Sequence, residues 1–166
     1  MKFLKSVFRL GSIAFKNGVK DFLYGLSLRH IPVVILSAGI GNVIIETLKL
    51  NDCFYDNIHI VSNFINFKDN LMLPFNDDVI HTCNKSMNML PSNIVSIVKN
   101  KDYILLFGDL VEDLNMVNKE DFSKTISFGF LDKNVEENFE LYKSSFDIVL
   151  TDNSSFYDVL NIFDEY

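Results

Sequence analysis

Hydrophobic and polar positions along this chain switch repeatedly between two periods. Val19, Phe22, Leu23 and Leu26 recur at helical spacing and predict a helix over Ser12–Leu28. Pro32 then favours an extended entry. Residues 31–45 read IPVVILSAGIGNVII: the unbroken apolar run Ile31–Leu36 predicts a strand buried on both faces. Gly39–Gly41 predicts a turn, and Asn42–Leu50 a short helix. Ile58–Val61 predicts a second strand. Between Ser62 and Ser86 the pattern changes. NFINFKDNLMLPF sets a polar turn, Lys68–Asn70, between apolar pairs, which predicts an inserted β-hairpin. DVIHTCNK reads as an extended arm ending at Lys85, on which His81 and Cys83 alternate.

The second half repeats the strand–helix order. A helix is expected over Ser92–Lys99, then a buried strand over Tyr103–Phe107 that runs into GDLVED and a helix over Leu110–Asn118. Thr125–Phe130 is the next strand, Val135–Ser144 a helix, Asp147–Leu150 a strand and Ser155–Phe163 a closing helix. Strands separated by helices imply βαβ units. The expected fold is α/β: a Rossmann-like parallel sheet with flanking helices and a small β-hairpin insertion. Neither an internal repeat nor a low-complexity linker interrupts it.

Composition changes this picture little. The 166 residues are 48% hydrophobic, which suits a globular core. No apolar run nears the length of a membrane span, so no membrane partner is expected. Charge is uneven. Up to His30 six basic residues face one acid, Asp21, whereas the remainder holds nine basic residues and 21 acids. That acidic body argues against nucleic acid and suits cation binding or plain solubility. The acid-free opening, MKFLKSVFRLGSIAFKNGVK, has the basic, amphipathic character of a transit peptide, but a helix with a solvated basic face explains it better. Residues 1–16 are therefore set apart as a basic N-terminal segment. Cys53 and Cys83 lie too far apart for a zinc or disulfide pattern, and His30, His59 and His81 make no metal spacing. Reduced thiols and a cytoplasmic setting are expected.

In open parallel sheets ligands gather at the carboxyl ends of strands. Those positions are Ser37–Gly41, Asn63, Asn84–Lys85 and Gly108–Asp113. Ser37 offers a hydroxyl, and Ala38 and Gly39 offer backbone N–H groups near a helix start, an arrangement that suits an anion or merely a turn. Lys85 offers a point charge to a phosphate. Asp109 and Asp113, one helical turn apart, suit Mg²⁺, or simply the acid-rich start of a helix. Gly39-Ile40-Gly41 also opens a dinucleotide fingerprint, but Ile44 stands where its third glycine belongs.

Taken together, IPVVILSAGIG with VSNF, then NK, LLFGDLVEDLNM, ISFGFL and DIVLTDNSSFYDVLNIF, resemble the cytosolic pyrimidine 5′-nucleotidases of the haloacid-dehalogenase-like phosphatases. The similarity runs from about Asn17 to the end, so residues 17–166 are expected to form a partial core domain of that kind. The resemblance implies Mg²⁺-dependent hydrolysis of nucleoside 5′-monophosphates, pyrimidine or 7-methylguanosine. It assigns Ser37, Ala38, Gly39 and Lys85 to the substrate phosphate and Asp109 to Mg²⁺. Asp113 would fix Lys85 or a metal-bound water.

Two departures stand out. Asn42 occupies a position where the family carries aspartate. Phosphatases of this type also attack phosphate with an aspartate of a DxD motif on the first, central strand. No two aspartates here stand two residues apart. The expectation is therefore a core whose first central strand is missing, with the strands ending near Ser37 and Asp109 left facing each other. They then pair directly, or something fills the gap, or the isolated chain folds poorly; KFLKSVF is a candidate filler, though its two lysines suit a buried strand badly, and exposed strand edges would also invite self-association. Such a chain is expected to bind a nucleotide without hydrolysing it, or to serve as a non-catalytic binding or interaction protein.

Overall fold

The computed structural model of the chain describes residues 14–69, 71–73, 78–151 and 154–164. The elements are α1 (Val19–Leu28), β1 (Val33–Ile40), α2 (Gly41–Leu50), β2 (Ile58–Asn63), β3 (Phe67–Lys68), β4 (Leu71–Met72), α3 (Ser92–Lys99), β5 (Tyr103–Gly108), β6 (Lys124–Leu131), α4 (Val135–Ser145), β7 (Ile148–Thr151) and α5 (Phe156–Asp164). Short 3₁₀ turns cover Met87–Met89, Val111–Met116 and Lys119–Asp121. The α/β order read from the periodicity holds, with the hairpin β3–β4 inserted after β2 and Asp69 in its turn at φ 51°.

The parallel strands fall into two sheets. β1 pairs with β2, and β5, β6 and β7 form the order β5-β6-β7. Among the described residues β1 and β5 do not pair with each other, so the direct pairing considered above does not occur. KFLKSVF lies outside the described residues. With a single neighbouring strand among the described residues, β1 is only half-buried along Val33–Ser37 rather than buried on both faces.

Helix α1 joins the two sheets through adjacent side chains. Phe22 enters a core with Phe128, Leu150 and Val159, against which Leu105 and Phe107 pack. Leu23 enters another with Leu48, Cys53 and Ile58, against which Val33 and Ile35 pack. The phenylalanines fill the first core closely: Phe107 stacks on Phe128 with centroids 4.7 Å apart, and Phe22 and Phe156 meet at 5.1 Å. A third cluster, Val61, Ile80 and Ile94, seats the segment after the hairpin on the β1–β2 side.

Four expected elements are corrected. Helix α1 starts at Val19, not Ser12. Gly18, at φ 81°, adopts a backbone that few other residues tolerate, and the Phe156 N–H ties to the Asn17 carbonyl at 2.8 Å. Ser12 itself lies outside the described residues. Strand β1 runs on through the predicted turn to Ile40. The extended arm carrying His81 and Cys83 is instead a turn, because Asn84 Oδ1 accepts the His81 N–H at 2.7 Å and Asn84 Nδ2 donates to the Val79 carbonyl at 3.0 Å. The helix expected over Leu110–Asn118 is a 3₁₀ turn over Val111–Met116.

Candidate functional site

The SAGIG segment departs from regular strand geometry. β1 and β2 run in step from Val33 opposite Ile58 to Ser37 opposite Ser62, but the next partners are Ile40 and Asn63. Three steps of β1 thus face one step of β2, a bulge that re-aims the backbone at a strand end. Ser37 Oγ accepts the Gly39 N–H at 3.1 Å. It does not cap α2, whose N-cap residue is Ile40 and has no side-chain cap. Ala38, Gly39 and Ile40 are exposed, so the segment is open to a ligand.

Two neighbours on β2 hold this segment. Ser62 Oγ donates to the Gly39 carbonyl at 2.7 Å, and Asn63 Nδ2 donates to the Ala38 carbonyl at 2.9 Å. Asn63 also exchanges hydrogen bonds with Ile80, donating to its carbonyl at 2.8 Å and accepting its N–H at 2.9 Å. Sequence reasoning marked Asn63 as a strand-end residue and passed over Ser62, although both lie in the VSNF phrase. Asn42 Oδ1 accepts the Ile65 N–H at 2.8 Å and Asn42 Nδ2 donates to the Ile65 carbonyl at 3.3 Å. An aspartate could make only the first of these bonds. Asn42 thereby fastens the start of α2 to the base of the hairpin.

Lys85 is buried, and its ammonium meets Asp113 Oδ1 in an ion pair. Asp113 is 2% exposed, and its Oδ2 also accepts the backbone N–H groups of Asp109 at 3.1 Å and Leu110 at 3.3 Å. That fold-back explains the 3₁₀ turn: the side chain takes donors a regular α-helix would arrange differently. Gly108 makes room for it, since a Cβ there would lie 2.5 Å from the Cβ of Asp113. Asp109 is exposed at the end of β5. Its backbone is held by Asp113 on one side and by the Tyr142 hydroxyl, which donates to the Asp109 carbonyl at 2.5 Å, on the other. Burial pushes the Tyr142 phenol up, and the carboxylates of Asp109, Asp113 and Glu112 add to that, so it stays a donor.

The predicted residues therefore divide into two groups. Lys85, Asp109 and Asp113 are brought together. Ser37, Ala38 and Gly39 sit on the other sheet, and their tie to the Lys85 segment runs through Asn63 and Ile80. Among the described residues no three His, Cys, Asp or Glu side chains form a metal cluster. The exposed carboxylate of Asp109 fits an ion that takes few protein ligands and keeps waters and phosphate oxygens, as Mg²⁺ does. Asp113 is already committed to Lys85 and two N–H groups. Among the described residues no helix is long and apolar enough to cross a membrane.

The family model described as Pyrimidine 5'-nucleotidase (UMPH-1) matches residues 2–165. A 7-methylguanosine phosphate-specific 5'-nucleotidase of Mus musculus is 37% identical over 149 residues, covering 88% of this chain and 49% of that protein. The Drosophila melanogaster protein of the same description is 34% identical, covering 86% of this chain and 46% of that protein. The crystal structure of cytosolic 5'-nucleotidase IIIB bound to cytidine superposes with a TM-score of 0.79 at 32% identity, over 88% of this chain and 50% of that one. The chain spans about half the length of the curated relatives it matches.

Proposed function

The chain belongs to the pyrimidine 5′-nucleotidase (UMPH-1) family, and on that premise we propose that its 166 residues form the phosphate- and metal-gripping part of a 5′-nucleotidase. The substrates are nucleoside 5′-monophosphates, pyrimidine or 7-methylguanosine. The observation that carries the reading is the buried Lys85 ammonium, held by Asp113 beside the exposed carboxylate of Asp109 at a parallel strand end. A positive charge kept at that place suits a phosphate dianion.

Each residue has one task. The Lys85 ammonium balances the charge of the phosphate. Ser37 Oγ and the N–H groups of the Ala38–Gly39 segment hydrogen-bond its oxygens. Asp113 orients Lys85 and fixes the backbone at Asp109. Asp109 would supply one oxygen to Mg²⁺, and the ion would offset negative charge on the bound phosphate. Hydrolysis by this route also needs an attacking carboxylate and an acid–base partner, and no DxD pair occurs in the sequence. We therefore expect binding without turnover from these residues alone. A cytoplasmic setting fits the same reading, since the solved relative is named a cytosolic enzyme. So does self-association through the edges of β1 and β5 that carry no strand partner among the described residues, which size-exclusion chromatography reads directly.

Calorimetric titration of the chain with UMP, CMP and 7-methylguanosine monophosphate, with and without Mg²⁺, tests the proposal beside an assay for released phosphate. The expected result is Mg²⁺-enhanced binding that Asp109→Ala weakens, with no phosphate released. Absence of binding for every nucleotide overturns the grip. Phosphate release that Asp109→Ala abolishes overturns the lack of turnover.

A further inference from the structure

We propose that Tyr142 is a positioning residue for metal binding: by pinning the main chain of Asp109 from α4, it sets the direction in which that carboxylate leaves the strand end. The inference rests on the reading of Asp109 as the Mg²⁺ ligand given above. It starts from the planarity of the peptide unit, which leaves each residue two soft rotations, one toward the preceding peptide plane and one toward the following plane. At Asp109 both planes are held. The preceding plane is fixed by the Asp109 N–H, which donates to Asp113 Oδ2 at 3.1 Å. The following plane is gripped at both ends. The Tyr142 hydroxyl donates to the Asp109 carbonyl at 2.5 Å, and the Leu110 N–H of the same plane donates to Asp113 Oδ2 at 3.3 Å. With both planes pinned, the Cα–Cβ bond of Asp109 keeps one direction, and only the side-chain torsions stay free.

The tyrosine is itself firmly seated. It is 8% exposed, and its ring stacks on that of Phe146 with centroids 5.4 Å apart. Leu131 belongs to the same cluster, and Val111, Leu114 and Val135 pack against it, so α4 is wedded to the 3₁₀ turn that follows Asp109. The division of labour is clear from the donors and acceptors. Asp113 accepts N–H groups and pairs with Lys85, so it serves the metal side and the phosphate side alike. A carboxylate cannot hold a carbonyl, and that task falls to the Tyr142 hydroxyl. An ion that takes one protein oxygen depends on where that oxygen starts, and a pre-set main chain spares the cost of ordering it on binding. Tyr142 need not touch the ion for any of this.

The test is a ¹H–¹⁵N NMR titration of the 166-residue chain with Mg²⁺, and separately with inorganic phosphate without Mg²⁺, with thermal unfolding measured in parallel. The wild type is expected to bind Mg²⁺, and Asp109→Ala is expected not to. Tyr142→Phe keeps the ring and removes only the hydroxyl. It should weaken Mg²⁺ binding about tenfold, the lower end of the usual loss when a partner behind a metal ligand is removed. Its phosphate affinity should stay at the wild-type value, because Ser37 and Lys85 do not depend on the hydroxyl. Phe146→Leu disturbs the same cluster and spares the hydroxyl, so it should lower the unfolding midpoint and leave Mg²⁺ affinity unchanged. Wild-type Mg²⁺ affinity in Tyr142→Phe overturns the positioning role and leaves Asp109 standing as the ligand. An equal loss of Mg²⁺ affinity in Phe146→Leu, or a parallel loss of phosphate affinity in Tyr142→Phe, also overturns it, since the effect is then a general loosening. No Mg²⁺ binding by the wild type, or undiminished binding by Asp109→Ala, overturns the reading of Asp109 and the inference with it.

Discussion

Truncating Asp113 to alanine strands a charge. The Asp113 side chain is 2% exposed and that of Lys85 10%, so water cannot replace the lost partner without opening the structure. Breaking a buried ion pair from one side is destabilising by about 3–5 kcal/mol, because the remaining charge stays desolvated and uncompensated. The N–H groups of Asp109 and Leu110 also lose Oδ2, but both residues are exposed and water takes over at little loss. Against a total stability of roughly 5–15 kcal/mol, a loss of that size is a large fraction of the whole. The assay is urea unfolding followed by circular dichroism. At a slope of about 2 kcal/mol per molar, the midpoint should fall by roughly 2 M. Replacing both partners by apolar groups, Lys85→Met with Asp113→Leu, removes the stranded charge and should recover most of the loss. The reasoning is refuted if Asp113→Ala shifts the midpoint by less than about 0.5 M, or if the single effects simply add in the double variant.

Two further outcomes follow from burial and charge. Cys53 is 1% exposed and its thiol is pushed up by burial, with Lys20 opposing weakly, whereas Cys83 is exposed; a thiol reagent should label Cys83 in the native chain and Cys53 only after unfolding. Burial raises the Asp147 carboxyl, but the Ser127 hydroxyl at 2.6 Å, the Ser127 N–H at 2.8 Å and Lys119 outweigh it and hold Asp147 below its ordinary value of 3.8. A folded value below the unfolded one contributes stability above the ordinary value and loses it as pH falls through the folded one. Ser127→Ala should therefore unfold at lower urea concentration than the wild type at pH 7, with the gap narrowing below about pH 3.8, and a gap independent of pH would refute the assignment.

Periodicity showed the regular elements well. The eight residues of α3 and the body of β5 and β6 match the expected spans, because apolar spacing alone decides a packed helix or a strand. What it missed was local competition for the backbone. Asp113 folds onto Asp109 and Leu110, Asn84 onto His81 and Val79, and Ser62 with Asn63 onto the SAGIG carbonyls. Each is a polar side chain satisfying a nearby main-chain group, and none leaves a hydrophobic signature. The site residues were legible for a different reason: strand ends are where ligands gather, so serine, lysine and aspartate stood out by position. Their grouping was not legible in the spacing, although the family resemblance links Asp113 to Lys85. Lys85 and Asp113 lie 28 positions apart in the chain, and nothing in the spacing says that one neutralises the other inside the protein.

The segment leading to Lys85 is seated on the β1–β2 side by Ile80, which packs with Val61 and Ile94 against Val34 and Leu36. Asp113 follows β5 and belongs to the other sheet. Lys85–Asp113 therefore crosses the seam between two sheets that share no strand pairing among the described residues. Helix α1 crosses it elsewhere, through Phe22 and Leu23. The α1 crossing is apolar and insensitive to charge, whereas the Lys85 crossing is electrostatic and lies within the proposed grip. A phosphate held by Ser37 and Gly39 on one sheet and by Lys85 near the other would draw on the same contacts that keep the sheets in place. Binding and the integrity of the seam are then one property, and a substitution that loosens Asp113 weakens the grip without touching the ligand.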